Sequence, residues 1–396
     1  MSIEHELFPE DLLATFRDRA PGHDRDNTFP EQDLADLRAA GYLGLLAPAD
    51  LGGRGASLLE AGRVQRRLAQ AAPATALAMN MHLVVTGAAL HAHRLGVQAA
   101  RTILAEAAQG TLFAFGISEA GNEAMLFDSS TVAEDDGAGG HRLSGTKIFT
   151  SLAPVWDRLV VHGRVDRGEE EPELVFGTLE RSEQVEVKND WDTHGMRGTQ
   201  SRTTRLHGAH LPAERVITRT PIGPNRDPFP MGIFGVFELL LASVYIGIAE
   251  RAVTVGCEIA RTRRSVTRGL VHADDPDIRR RLAEAAIGID GSVLQIEAVL
   301  ADLDALGTGE TGPGLTDHGA RWFLQFSGVK HRSTEAAIAA VDQVLRASGG
   351  AHFFRRSELE RLSRDVRAGL YHPSDAESVQ ASYARALLGE IGEDRG

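Results

Sequence analysis

The sequence predicts an α+β fold: an N-terminal helical domain over 1–110, a central antiparallel β domain over 111–220 and a C-terminal four-helix bundle over 230–396. Three observations carry this prediction. Apolar residues recur at helical spacing in the first and last parts of the chain. Short segments, several of them alternating apolar and polar residues, fill the middle. A Pro- and Gly-rich stretch at 221–232 separates the middle from the final helical part.

In the first part, Leu34, Leu37, Leu43 and Leu46 space a helix over 30–47, which Pro48 and the glycines Gly52, Gly53 and Gly55 end. Alanine-rich helices follow over 58–71, 73–95 and 97–109. Pro73 suits the first turn of its helix, where an N–H would lack an intrahelical partner anyway. From residue 111, the segments 111–118, 131–133, 140–145, 158–162, 174–178 and 203–207 read as strands divided by Gly, Asp, Glu and Pro turns. The acidic run at 167–172 reads as a solvated hairpin tip. Helical periodicity then returns over 233–264, 275–305, 317–349 and 375–390, four stretches that read as a bundle.

Bulk properties narrow the function. A chain of 396 residues is too long for one core of ordinary size, so two or three domains or one layered fold are expected. A hydrophobic share of 42% and a charged share of 24% are ordinary for a soluble globular protein. The net charge of −13 disfavours nucleic acid and anionic membranes as partners. A single cysteine, Cys257, excludes an internal disulfide and a cysteine-rich zinc site, and a cytoplasmic location is expected. The N-terminus lacks the basic start and apolar run of a signal peptide. The longest apolar stretch, 234–249, is interrupted by Glu238 and is short for a bilayer, so no membrane span is expected. No metal site is expected either. Dinucleotide, phosphate-loop, metalloprotease and nucleophile-elbow motifs are absent.

Five segments, in order, carry a resemblance. They are Phe115-Gly-Ile-Ser-Glu119, Leu143-Ser-Gly-Thr-Lys-Ile-Phe-Thr-Ser151, Asp192-Thr-His-Gly-Met-Arg-Gly-Thr-Gln-Ser201, Val244-Tyr-Ile-Gly-Ile-Ala-Glu-Arg-Ala252, and Ser348-Gly-Gly350 followed by Leu359-Glu-Arg-Leu-Ser-Arg-Asp365. Across nearly the whole chain this resembles the acyl-CoA dehydrogenase superfamily. The resemblance implies FAD. Phe149, Thr150 and Ser151, with Phe115, Ile117 and Ser118 on the paired strand, would offer the flavin ring an aromatic wall and hydrogen-bond donors. Alone, Phe115 and Phe149 read more simply as inward strand aromatics of the core. The resemblance places Arg263 (or Arg264 or Arg261) on the diphosphate, and Gly349 and Gly350 against the adenosine half across a subunit boundary. It thereby implies a homotetramer or homodimer. The bland alternative for the two glycines is a helix C-cap.

The chain departs from the family at its base. Many members carry Tyr-Glu-Gly-Thr where His372 and Pro373 stand here, and that glutamate removes the substrate's α-proton. Two replacements are open. Glu238 falls on the apolar stripe of Phe234, Phe237, Leu241, Val244, Tyr245 and Ile248, where a carboxylate would be buried or face a cavity with a raised pKa. The alternative is that it pairs with an arginine. His372 is the second candidate, or else a turn histidine before a helix capped by Ser374 or Asp375. The stretch Glu119-Ala-Gly-Asn-Glu-Ala124 departs from the family's thioester-contacting loop, so Glu123 and Ala124 count against ordinary CoA binding. His82 could approach the pocket or be structural.

The leading expectation is therefore α,β-desaturation of an acyl thioester, with an electron-transfer flavoprotein as acceptor. The alternative is a two-component flavin monooxygenase that takes reduced flavin from a separate flavin reductase and uses oxygen on a small-molecule substrate. A third reading, of another class, is a non-catalytic binding protein that keeps the fold.

Overall fold

The computed structural model describes residues 2–122, 124–168 and 170–389. Helices α1 (Ile3–Leu7), α2 (Glu10–Asp26), α3 (Glu31–Ala39), α4 (Leu58–Ala71), α5 (Pro73–Arg94) and α6 (Ala100–Ala108) form the first layer. Helices α1 and α2 carry few apolar residues, and α2 contains Pro21, which hides its period in the sequence. The helix expected over 30–47 stops at Ala39, because the chain turns through Gly41 at a φ of 76°. Ser57 and Glu60 form a reciprocal cap at the start of α4. Pro73 occupies the first turn of α5 as the sequence requires.

The middle of the chain forms eight strands: β1 (Phe113–Gly116), β2 (Val132–Asp135), β3 (His141–Thr150), β4 (Arg158–Val165), β5 (Glu173–Glu180), β6 (Val185–Val187), β7 (Arg202–Leu211) and β8 (Val216–Pro221). They lie in the order β6-β7-β3-β2-β4-β5-β8, with β1 added against β4. The sheet is mixed, which corrects the antiparallel expectation: β4 pairs in parallel with β1 and, at one position, with β2. All other pairings are antiparallel. Strands β6 and β8 escaped the sequence reading. Their short runs carry Glu, Thr, Arg and Pro among few apolar residues.

Helices α7 (Pro228–Thr262), α8 (Pro276–Thr308), α9 (Trp322–Ser348), α10 (Glu358–Asp365) and α11 (Ala376–Leu388) complete the chain. Three of the bundle helices are long and the fourth, α11, has 13 residues. Helix α7 runs through the centre and packs on α4, α5, α8 and α9. Its approach to α4 is backbone-close: a side chain on Gly247 would lie 2.3 Å from the carbonyl oxygen of Arg66. By length and composition α5 and α7 could cross a membrane, but most of each is buried inside this fold, which accounts for their hydrophobicity. The core is continuous from the N-terminal helices through the sheet to the bundle.

Candidate active site

The site begins with a buried ion pair beneath two strands. Lys147 on β3 donates to Glu119 at 2.6 Å, to His162 Nδ1 at 3.1 Å and to the His162 carbonyl at 2.9 Å. Glu119 also accepts from the hydroxyls of Ser129 and Thr131 and from the amides of Ser130 and Thr131. Burial pushes the Glu119 carboxyl up, but Lys147 and these donors outweigh it and hold it well below the usual carboxylate range. Burial likewise pulls Lys147 down to about 8 despite its partner. Both residues stand in the motifs singled out from sequence, although nothing there marked them as a pair. Together with Ile148, whose amide donates to the Ser118 carbonyl at 2.9 Å, they fix β3 against the segment that follows β1.

At the end of β3 the register with β7 shifts between Lys147 and Thr150, and Phe149 adopts a φ of 54°. Such a bulge re-aims a side chain. Phe149 and Ser151 line a cavity of about 510 Å³, whereas Thr150 is wholly buried with its hydroxyl unpartnered and does not line that cavity. Neighbouring residues on a strand point to opposite faces, so Thr150 is not the ring donor that the sequence reading made it. Phe115 and Ser118 do line the cavity. Ile117 lines only a small annex of about 30 Å³, which shares Phe115, Ser118, Phe237 and Pro373 with the main space.

The loop 192–201 and the segment 364–373 form the opposite wall. Two sequence motifs meet here. The amide of Met196 donates to Asp365 Oδ1 at 2.6 Å, and a side chain on Gly195 would fall 2.5 Å from the Arg364 carbonyl oxygen. Trp191 meets Phe149 edge-on with ring centroids 6.1 Å apart. A row of hydroxyls borders this wall. Thr199 donates to the Met196 carbonyl at 2.9 Å, Ser201 lies 2.8 Å from Thr199, and Ser151 lies 2.7 Å from Ser201. Each hydroxyl has one proton, so the row runs from Ser151 through Ser201 to Thr199 and leaves Ser151 Oγ with free acceptor capacity.

Both candidate bases are present. His372 lines the main cavity, and its Nδ1 lies 2.9 Å from the hydroxyl of buried Tyr245. Burial and then the Lys330 charge pull His372 down to about 3, so it is neutral. The Tyr245 hydroxyl has no second acceptor among the described residues. It therefore donates to Nδ1, and the proton of His372 sits on Nε2. Glu238 is wholly buried and lines the annex. Its Oε1 accepts from Ser374 at 2.6 Å, and its Oε2 has no partner. Burial pushes Glu238 up to about 7 against the opposing pull of Lys330 and Ser374. The expectation of a buried, cavity-facing carboxylate with a raised pKa holds, and no arginine pairs with it.

Lys330, which the sequence reading missed, organises this corner. Its ammonium donates to the carbonyls of Gly369, His372 and Ser374 at 3.0, 3.2 and 3.2 Å. Its helix gave no signal in the sequence, since a single lysine in an amphipathic period is ordinary. His82 is structural: buried, lowered to about 4, with Nε2 on the Leu43 carbonyl and Nδ1 accepting from the Phe113 amide. Arg263 donates to the Ser348 carbonyl and lies beside Gly349; with Gly350 they lie away from the cavity within one chain. Gly349, at a φ of 78°, serves as the cap of α9. Glu123 lies outside the described residues, and Ala124 is exposed and lines neither space.

Comparison with known proteins places the whole arrangement. The acyl-CoA dehydrogenase N-terminal domain family matches residues 12–111, and the acyl-CoA dehydrogenase C-terminal domain family matches residues 239–374. Isobutylamine N-hydroxylase of Streptomyces viridifaciens is 31% identical over 346 residues, which cover 85% of this chain and 84% of that protein. The chain belongs to the acyl-CoA dehydrogenase family. L-evernosamine nitrososynthase of Micromonospora sp. is 28% identical, over 91% of this family member and 84% of its relative. The solved structure of KijD3 in complex with FMN and dTDP-3-amino-2,3,6-trideoxy-4-keto-3-methyl-D-glucose superposes with a TM-score of 0.83 at 27% identity, covering 97% and 93% of the two chains. This acyl-CoA dehydrogenase family member is accordingly a flavin-dependent oxidoreductase. Among these relatives oxygenation is the better supported chemistry, and α,β-desaturation, the leading expectation from sequence, has no specific support.

The cavity fits a flavin ring. It has an aromatic rim of Phe149 and Trp191, the acceptor Ser151 Oγ, and the volume of a typical small-molecule site.

Proposed function

We propose that this protein is the oxygenase component of a two-component flavin monooxygenase, receiving reduced FMN from a separate flavin reductase and oxygenating a small molecule at a heteroatom. The carrying observation is His372. Where a desaturase of this family needs a carboxylate, the chain presents a neutral imidazole whose Nδ1 is occupied by Tyr245. Such a group is a poor base for a carbon acid but a fixed donor to an oxygen anion. Bound reduced flavin supplies two electrons with two protons to dioxygen, so that one oxygen atom enters the substrate and the other leaves as water.

The chain's own residues supply the rest. Phe149 and Trp191 would wall a bound flavin ring, and Ser151 Oγ would accept a hydrogen bond from it. His372 lines the cavity and would offer its Nε2–H there, and Leu77, Met81, Phe115 and Phe237 give that space apolar walls. FMN is favoured over FAD by the likeness to the FMN-bound KijD3 structure.

The test supplies the protein with FMN, NADH, an unrelated flavin reductase and isotopically labelled dioxygen, together with a panel of amines and thioethers. Label in the product is expected. Bleaching of protein-bound FAD by acyl-CoAs without oxygen, and no label in any product, would overturn the reading in favour of desaturation.

A further inference from the structure

We propose that the annex beyond the main cavity binds the nitrogen of a primary aliphatic amine, with Glu238 as the group that recognises it. The proposal rests on the monooxygenase reading and names its substrate class. Glu238 is the only acidic side chain among the described residues lining either space. Its Oε1 is occupied by Ser374, but Oε2 is fully buried without a partner. A buried acceptor without a donor is destabilising, and N–H groups remove that cost. Lys330 supplies no donor to it, because its three N–H groups point at three backbone carbonyls.

The shape sorts the possible donors. An annex of about 30 Å³ holds one small head group. Phe234, Phe237 and Ile117 close it with apolar surface, so a head group that offers hydrogen-bond donors meets two acceptor side chains there, the Ser118 hydroxyl and the Glu238 carboxyl, of which the carboxyl is the charged one. Phe115 and Phe237, with ring centroids 5.8 Å apart, stand at the junction with the main cavity. Aromatic rings tolerate a cation and an alkyl chain equally. An alkylamine entering head-first leaves its chain in the main cavity and its nitrogen at the end. There Glu238 also accepts the proton that an alkylammonium must lose before its lone pair can react, while Ser374 lines both the carboxyl's flank and a second, outward-facing cavity with Lys330 and Asp375.

The test measures binding of n-butylamine and of n-butanol to the FMN-loaded protein by calorimetry, in the wild type and in Glu238→Gln. In the wild type, butylamine is expected to bind at least about tenfold tighter than butanol, a difference of about 1.4 kcal/mol. In Glu238→Gln this preference is expected to vanish. Equal binding of the two in the wild type overturns the proposal even if the variant does not fold, as does a preference that survives the substitution. Oxygen uptake with reduced FMN separates the two readings. Amine-selective binding without oxygen transfer to any compound keeps the amine site and removes the monooxygenase. Oxygen transfer to dialkyl sulfides without amine preference does the reverse.

Discussion

Ser374 donates its hydroxyl to Oε1 of Glu238 at 2.6 Å, although 136 residues separate them in sequence. The contact joins the middle of the central helix α7 to the segment that carries His372, the two places where sequence offered a base. They are parts of one corner, tied together by Lys330 and Tyr245.

The raised pKa of Glu238 has a measurable effect on stability. The folded carboxyl titrates at about 7 and the ordinary value is 4.5, so between these the folded protein holds a proton that the unfolded chain has released. Stability from this group is therefore lost as pH rises through that window and is constant above it. Lys330 on α9 faces the carboxyl throughout the window, and His372 stays neutral across it. Glu238→Gln removes the titration, so its stability relative to the wild type should rise by roughly 2–3 kcal/mol between about pH 5 and about pH 8. Urea unfolding at the two pH values checks this, and a gap that does not change with pH would refute it.

Tyr245→Phe tests how His372 is held. The substitution removes one hydroxyl, leaves Nδ1 without its donor, and frees the ring to change tautomer. A loss of about 1 kcal/mol of stability is expected, with roughly tenfold slower product formation and unchanged flavin affinity. Titration of flavin fluorescence and single-turnover kinetics separate the two effects. An equal loss in flavin binding and turnover would show that Tyr245 shapes the cavity and does not orient the imidazole.

Much of this was legible because local pattern and tertiary role agree. Helices α4 to α6 and the long bundle helices announce themselves by period, and Glu238 could be placed inside because it interrupts an apolar stripe. What escaped depends on contacts between distant segments. Alternation turns Thr150 away from Phe149 and Ser151, but which of the two faces meets the cavity depends on the bulge and positive φ at Phe149, and no residue type there demands a bulge. Lys330 reads as an ordinary helical lysine until the carbonyls of Gly369, His372 and Ser374 are folded over it. The parallel pairing of β1 with β4 leaves no trace in composition at all.

The Glu119–Lys147 pair should show strong coupling. Removing one partner leaves the other charge buried, and such losses run to about 3–5 kcal/mol. Glu119→Gln and Lys147→Met should each destabilise by about that amount. The double variant should cost well below the sum of the two. Lys147→Met should be the milder single change, since Glu119 keeps its hydroxyl and amide donors. Chemical denaturation of the four proteins measures the cycle, and additive losses would contradict the pairing.

Phe149 offers the clearest separation of stability from function. Its backbone sits at a φ of 54°, a region that disfavours side chains and costs about 1–2 kcal/mol for residues other than glycine. Its ring, 56% exposed, contributes little to the core but lines the cavity edge-on to Trp191. Phe149→Ala removes the ring and keeps the backbone strain, whereas Phe149→Gly removes both. Flavin affinity should fall in the two variants alike, by about tenfold, since the lost wall is the same. Stability should differ between them, with the glycine variant more stable than the alanine variant by about 1 kcal/mol. Thermal unfolding and flavin titration of the pair decide it. If glycine gives no advantage, the backbone is not strained at Phe149. If neither variant loses flavin, the ring is not part of the flavin wall, and the cofactor lies elsewhere in the cavity.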